Sequence, residues 1–218
     1  MKKNIAEQLL EMPNAPLVIE EVQQALAAER SLRRHFYEIV TEDQKAEFIN
    51  GEIIVHSPVK KRHDNASGNL YILLKSYVTK HQLGYVGHEK LMISLTRNDY
   101  EPDICFFQQD KAAHFKEEQT TFPAPDLIVE VLSSGTHARD RGIKFQDYEA
   151  HGILEYWIVD ARQQTVEQYH LQDNAYEHIN TFDKKQHLQS IAVEGFIIPV
   201  RAIFDQQVFL QTLAGLLE

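Results

Sequence analysis

Asp126-Leu127-Ile128-Val129-Glu130-Val131-Leu132 is an apolar, β-branched run with a carboxylate inside it. Two other runs share this flaw, Glu101-Pro102-Asp103-Ile104-Cys105-Phe106-Phe107 upstream and Tyr156-Trp157-Ile158-Val159-Asp160 downstream. Runs of this length and composition read as strands of a central sheet. A charged, helix-like stretch, 138–149, lies between the last two. Strand, helix and strand in succession predict parallel pairing through a right-handed crossover. Ser133-Ser134-Gly135-Thr136 supplies turn and N-cap residues for that helix, and Gly152 ends it.

Carboxylates on buried strands are costly unless a cation accompanies them. Asp103 begins one run and Glu130 lies near the end of another, and the long segment between them allows the strands to be neighbours. Two adjacent carboxylates repel, and one is forced to protonate at neutral pH. A hard divalent cation removes the conflict. Mg²⁺ uses one or two carboxylates and keeps water for substrate phosphate, and Mn²⁺ is its substitute. Lys144, on the helix after the Glu130 strand, is the candidate cationic side chain, and Tyr148 four residues on shares its face. Lys144 as a catalytic group predicts that Lys144→Met abolishes activity and leaves folding nearly intact. The charges Arg139, Asp140, Arg141, Lys144 and Asp147 equally fit a solvated surface network.

Outward from this centre, 5–11 and 17–38 read as helices, separated by Pro13 and Pro16. They suggest a cover or partner-binding arm, residues 1–40, ahead of a main domain at 41–218. Asn50-Gly51 predicts a type I′ hairpin that pairs Ile49 with Glu52 and Glu47 with Ile54. Solvation at a sheet edge suits Glu52 better than Glu47. Ser57-Pro58 opens a helix to about His81, with Gly84 past its end and His63 on its apolar face. A histidine so placed is more often a hydrogen-bonded core residue than a ligand. Lys60, Lys61 and Arg62 in its first turn oppose the helix dipole and fit phosphate contact or plain surface equally. Two strands, 85–96 and 101–107, follow, joined by a turn at 97–100. Residues 108–125 read as a long polar loop, the segment most free to move. Strands at 165–171, 175–182 and 188–193 and an amphipathic helix at 204–217 complete the chain.

The order of these motifs resembles the PD-(D/E)XK nuclease superfamily, and more closely its bacterial restriction-endonuclease-like family. The resemblance rests on Glu47 to Glu52 in the hairpin, Ser57-Pro58, His63, Pro102-Asp103, Pro125-Asp126-Leu127 to Ser133, Lys144 to Tyr148, and Gly152 to Asp160. It covers roughly 40–205. It implies an α/β fold, a restriction-endonuclease-like mixed β-sheet core flanked by helices with an N-terminal helical extension. It also implies Mg²⁺-dependent hydrolysis of DNA phosphodiester bonds. Asp103 and Glu130 would bind metal, and Lys144 would be the catalytic lysine. Glu47 and His63 would be candidates for the supporting role that another acidic residue plays in related nucleases. Leu132 stands where the superfamily has a lysine, so Lys144 must reach back from the helix.

The totals bound this reading. The 218 residues carry a net charge of -10, which argues against a simple DNA-binding module but not against an enzyme that meets phosphate through metal and a local basic patch. Hydrophobic content of 43% and charged content of 25% suit a soluble globular protein, with no apolar run long enough to span a membrane. The start, Met1-Lys2-Lys3, leads into acidic sequence and does not read as a secretory leader. One cysteine, Cys105, fits a reducing cytoplasm. The resemblance and the apolar helices at both ends suggest a homodimer. The alternative function is a nuclease-fold protein without catalysis, a nucleic-acid-binding or assembly module, which Leu132 and the acidic charge favour.

Overall fold

The computed structural model describes residues 4–41, 43–133 and 135–218. Met1–Lys3 and the expected turn residue Ser134 lie outside them. In chain order, helices α1 (Ile5–Leu10) and α2 (Ala15–Ile39) lead into the hairpin β1 (Ala46–Ile49) and β2 (Glu52–Val55). Then come α3 (Lys61–His81), β3 (Gly84–His88), β4 (Met92–Ser94), β5 (Asp99–Tyr100), β6 (Ile104–Gln108), α4 (Gln109–Ala112), β7 (Thr121–Phe122) and β8 (Leu127–Val131). Two short helices, α5 (His137–Asp140) and α6 (Ile143–Ala150), cross to β9 (Glu155–Asp160). Strands β10 (Thr165–Gln172), β11 (Ala175–Asp183), β12 (His187–Gln189) and β13 (Ile197–Pro199), a 3₁₀ turn at Val200–Ile203 and α7 (Gln206–Leu217) finish the chain.

The central sheet has the order β11-β10-β9-β8-β6-β3. Only β8 and β9 in it run parallel, as the strand–helix–strand pattern requires, and β6 lies antiparallel to β8 with Ile104 opposite Val129. Side-chain alternation splits the strands between two cores. On one face Ile104, Phe106, Val129, Val131 and Trp157 pack with Leu70 and Leu73 of α3 and Phe209 of α7. On the other, Cys105, Phe107, Ile128 and Ile158 pack with Tyr148 of α6 and with Ile93 and Tyr100 of a second sheet. That sheet has the order β2-β1-β5-β4-β7. Asp103 and Glu130 share the parity of the second face.

The hairpin forms as its Asn-Gly pair dictates. Asn50 and Gly51 take positive φ, 51° and 86°, and Ile49 faces Glu52. Six expectations need correction. The segment 85–96 is two strands in different sheets, because the chain turns at Glu89 (φ 51°) and leaves β3 for β4. The turn expected at 97–100 gives Asp99 and Tyr100 to β5, which pairs with β4. The loop 108–125 holds α4 and also β7, and β7 is fixed by parallel pairing with β4 rather than by any local pattern. The long helix starts at Lys61, not Ser57, and ends with Gln82 in the left-handed region (φ 55°). Gly84 serves a different purpose: a Cβ there would sit 2.0 Å from the Phe107 carbonyl oxygen, so only glycine lets β3 approach β6 this closely. The expected helix at 138–149 is broken at Gly142, and the expected strand at 188–193 is only the short β12.

The α2 helix is fastened to the second sheet. Arg33 donates to both Asp99 carboxylate oxygens and to the Leu95 and Asn98 carbonyls, and Phe36 packs against Phe48. Among the described residues no helix is long and apolar enough to cross a membrane.

Candidate active site

The antiparallel register places Asp103 and Glu130 side by side, one step beyond the Ile104–Val129 pair. Both are buried. Asp103 is fully engaged. Its Oδ2 accepts from the Val131 backbone N–H at 2.8 Å and lies 3.2 Å from His63 Nε2, and its Oδ1 accepts from Lys45 Nζ at 2.9 Å. Burial would raise its pKa, but His63 and Lys45 prevail and hold it well below the carboxylate range.

Glu130 has the opposite fate. Lys144 Nζ and Tyr148 OH both donate to its Oε1, each at 2.9 Å. Burial, with Asp140, Asp103 and Glu47 close by, outweighs Lys144 and pushes Glu130 up to about 8. The Lys144 ammonium is itself buried, 2.7 Å from Glu47 Oε1 and 3.8 Å from Asp140 Oδ1. Burial lowers its pKa, and the three carboxylates more than reverse that, so it stays charged. The solvated surface network is therefore wrong for Lys144 and Asp140. Of that run, Arg141 pairs with Glu167 and Asp147 accepts from Asn98 and Tyr100. Leu132 is no obstacle, since the helix carries Lys144 back over β8 to Glu130.

All the sequence candidates thus converge: Asp103 and Glu130 in the sheet, Lys144 and Tyr148 from α6, Glu47 from β1 and His63 from α3. Glu47 is no edge charge. Its Oε1 also accepts from the Glu101 backbone N–H, and its Oε2 lies 3.0 Å from His56 Nε2. Burial would raise it, but Lys144 and His56 hold it down. Glu52, by contrast, is exposed. The sequence reading missed Lys45 and Asp140. Lys45 lies two residues before Glu47, so β-alternation points both to one side. Asp140 lies four residues before Lys144, the same step that singled out Tyr148. Both Asp140 carboxylate oxygens are buried without a hydrogen-bond partner, and burial, only partly countered by Lys144, raises its pKa.

A cavity of about 1070 Å³ opens over this group and is lined by Lys45, His63, Asp103, Glu130 and Lys144 among others. Among the described residues no three His, Cys, Asp or Glu side chains have the geometry of a ready-made metal cage.

A family model described as "Uma2: Putative restriction endonuclease" matches residues 32–201. The chain belongs to the Uma2 family. The match begins inside α2 and ends before α7, and it contains every residue of the buried cluster. This Uma2 chain is 30% identical over 128 residues to the uncharacterized protein sll1609 of Synechocystis sp., covering 58% of this chain and 72% of that one. It is also 30% identical over 137 residues to the uncharacterized protein slr1290 of the same organism, covering 60% and 68%. A crystal structure from Anabaena variabilis, titled a putative nuclease belonging to DUF820, superposes with a TM-score of 0.68 at 19% identity. It covers 80% of this chain and 96% of its own. The fold is therefore restriction-endonuclease-like, a mixed α/β core with an N-terminal helical extension.

Proposed function

We propose that this Uma2-family chain is a Mg²⁺-dependent endonuclease that hydrolyses DNA phosphodiester bonds. The observation that supports it is the charge of the buried cluster. Four carboxylates, Glu47, Asp103, Glu130 and Asp140, face two lysines, Lys45 and Lys144, so that with all four ionised and the histidines neutral the cluster would carry an excess of two negative charges. The strain is visible in the unpartnered Asp140 oxygens and the raised Glu130. A hard divalent cation matches both the sign and the size of that excess.

Asp103 and Glu130 would hold the ion, with Lys45 giving up its place on Asp103. Held there, Mg²⁺ or its substitute Mn²⁺ would supply Lewis-acid polarisation of a phosphoryl oxygen and a more acidic water. Lys144, fixed between Glu47 and Glu130, offers its ammonium to charge developing on the phosphate. Tyr148 orients Glu130, and His63 holds Asp103 ionised. The exposed Leu17, Val22 and Leu32 of α2 support assembly as a homodimer.

A second reading, a non-catalytic nucleic-acid-binding or assembly module, draws support from Lys45. It already neutralises Asp103, as an internal substitute for a metal would. Cleavage of plasmid and of labelled single-stranded and duplex oligonucleotides, with Mg²⁺, Mn²⁺ or EDTA, separates the two. The enzyme reading expects metal-dependent cleavage by the wild type and none by Glu130→Gln, with a dimer mass by light scattering. No cleavage of any substrate with either metal makes the module the better reading.

A further inference from the structure

The arginines that line the cavity differ from those that sit in ion pairs. Arg33, Arg97, Arg141 and Arg201 each sit in an ion pair with an acidic side chain. Arg62, Arg139 and Arg162 enter no ion pair among the described residues, and all three line the cavity above the carboxylate–lysine cluster. They come from separate elements: the first turn of α3, α5, and the turn between β9 and β10. Acidic residues outnumber basic ones, 32 to 22, so arginines with no acidic partner converging on one cavity run against the composition.

Fold stability does not account for them. Arg62 stands at a helix N-terminus, where a cation opposes the dipole. The Arg139 Nε is shut off from water and has no hydrogen-bond partner, an arrangement that costs free energy until an acceptor arrives. The planar guanidinium fork fits a phosphate with two parallel hydrogen bonds. A cavity of about 1070 Å³ slightly exceeds the about 300–1,000 Å³ usual for small-ligand sites. With cations entering from three segments, it suits several phosphates in succession rather than one.

We propose that Arg62, Arg139 and Arg162 form a clamp that binds the phosphates of a nucleic-acid strand on either side of the scissile one, an inference that rests on the nuclease reading of the floor beneath. The clamp gives an acidic protein three guanidinium contacts with which to engage a polyanion.

The test is the salt dependence of binding. Fluorescence anisotropy with labelled single-stranded and duplex DNA is run in Mg²⁺ on the full-length Glu130→Gln protein, which the nuclease reading makes unable to turn over. Each lost phosphate contact reduces the slope of log K against log salt by about 0.9 on duplex and about 0.7 on single strands. Arg62→Gln/Arg139→Gln/Arg162→Gln should lower the slope by about 2–3 on whichever strand form is bound. The single variants Arg62→Gln and Arg162→Gln should each remove about one contact, which keeps the test open if the triple variant folds poorly. Arg30→Gln/Arg34→Gln on α2 also removes two arginines outside ion pairs but away from this cavity, and should leave the slope unchanged. If wild type cuts while the cavity variants keep the full slope, the clamp is refuted and the nuclease reading stands. An equal loss in the α2 control refutes the clamp as well. If wild type neither binds nor cuts, the nuclease reading fails and the clamp falls with it.

Discussion

Lys144→Met probes the buried cluster through stability, independently of any substrate. Methionine preserves the bulk of the side chain and deletes its charge. Glu130, already pushed up to about 8, accepts a proton at neutral pH with little cost. Glu47 is different, because Lys144, 2.7 Å away, is its main counter-ion. Without it, buried Glu47 must take up a proton at pH 7, about 2.5 pH units above its ordinary value of 4.5. At about 1.36 kcal/mol per unit this costs about 3 kcal/mol, or nearer 2 if His56 serves as a second partner. Breaking a buried pair typically costs about 3–5 kcal/mol, the same order. The sign is definite. In the variant, the folded-state pKa of Glu47 rises above its unfolded value, so its protonated fold is unpenalised below pH 4.5 and loses stability as pH rises. The deficit against wild type should therefore shrink from about 2–3 kcal/mol at pH 7 to under about 1 at pH 5. Urea unfolding at both pH values measures it. Equal deficits at the two pH values, or a variant as stable as wild type at pH 7, would refute the role given to Lys144. The cost expected here is larger than the nearly intact folding that the sequence alone suggests for Lys144→Met.

Two further outcomes follow from the packing. Gly84→Ala must move the Phe107 carbonyl or break the β3–β6 pairing, at about 2 kcal/mol or more, so its thermal midpoint should fall by about 4–8 °C. An unchanged midpoint would mean the close approach is dispensable. Glu155 accepts from Trp157 Nε1, Gln168 Nε2, Ser190 Oγ and the Ile191 and Ala192 N–H groups. Burial would raise its pKa, but His170, Ser190 and Ala192 hold it below 4.5. Its share of stability is complete above pH 4.5 and is lost as pH falls through the lower folded value. Glu155→Gln should cost about 3 kcal/mol at pH 7 and flatten the acid side of the wild-type stability curve, which chemical denaturation between pH 3 and 7 reads directly.

The centre of the site was legible because its signals are local. An acidic residue inside a β-branched run, and a lysine with a tyrosine four residues later, need no tertiary context to be noticed. The pairing of β6 with β8 then followed from connectivity. The environment of Glu47 was not legible, since its burial depends on the second sheet packing across α6, and nothing within the hairpin announces that contact. Thr121 and Phe122 carry no strand signal of their own, and β4 makes them a strand by offering an unpaired edge. Lys45 and Asp140 were within reach. Each lies one period from a residue already singled out, but neither interrupts an apolar run, which was the cue in use.

One consequence lies in how Lys144 is mounted. Glu130 is part of the central sheet, while the helix bearing Lys144 is tied through Asp147 to Asn98 and to Tyr100 of β5, and through His151 to Thr96, all on the side of the other sheet. The acid and its ammonium therefore belong to different pieces of scaffold, and their separation works as a gauge of how the two sheets are seated. A lesion in the 96–98 turn or at Tyr100, outside the cavity lining, would detune Lys144 while leaving Asp103 and Glu130 in register. Were the lysine at position 132, two residues after Glu130, both groups would share one strand and no such gauge would exist.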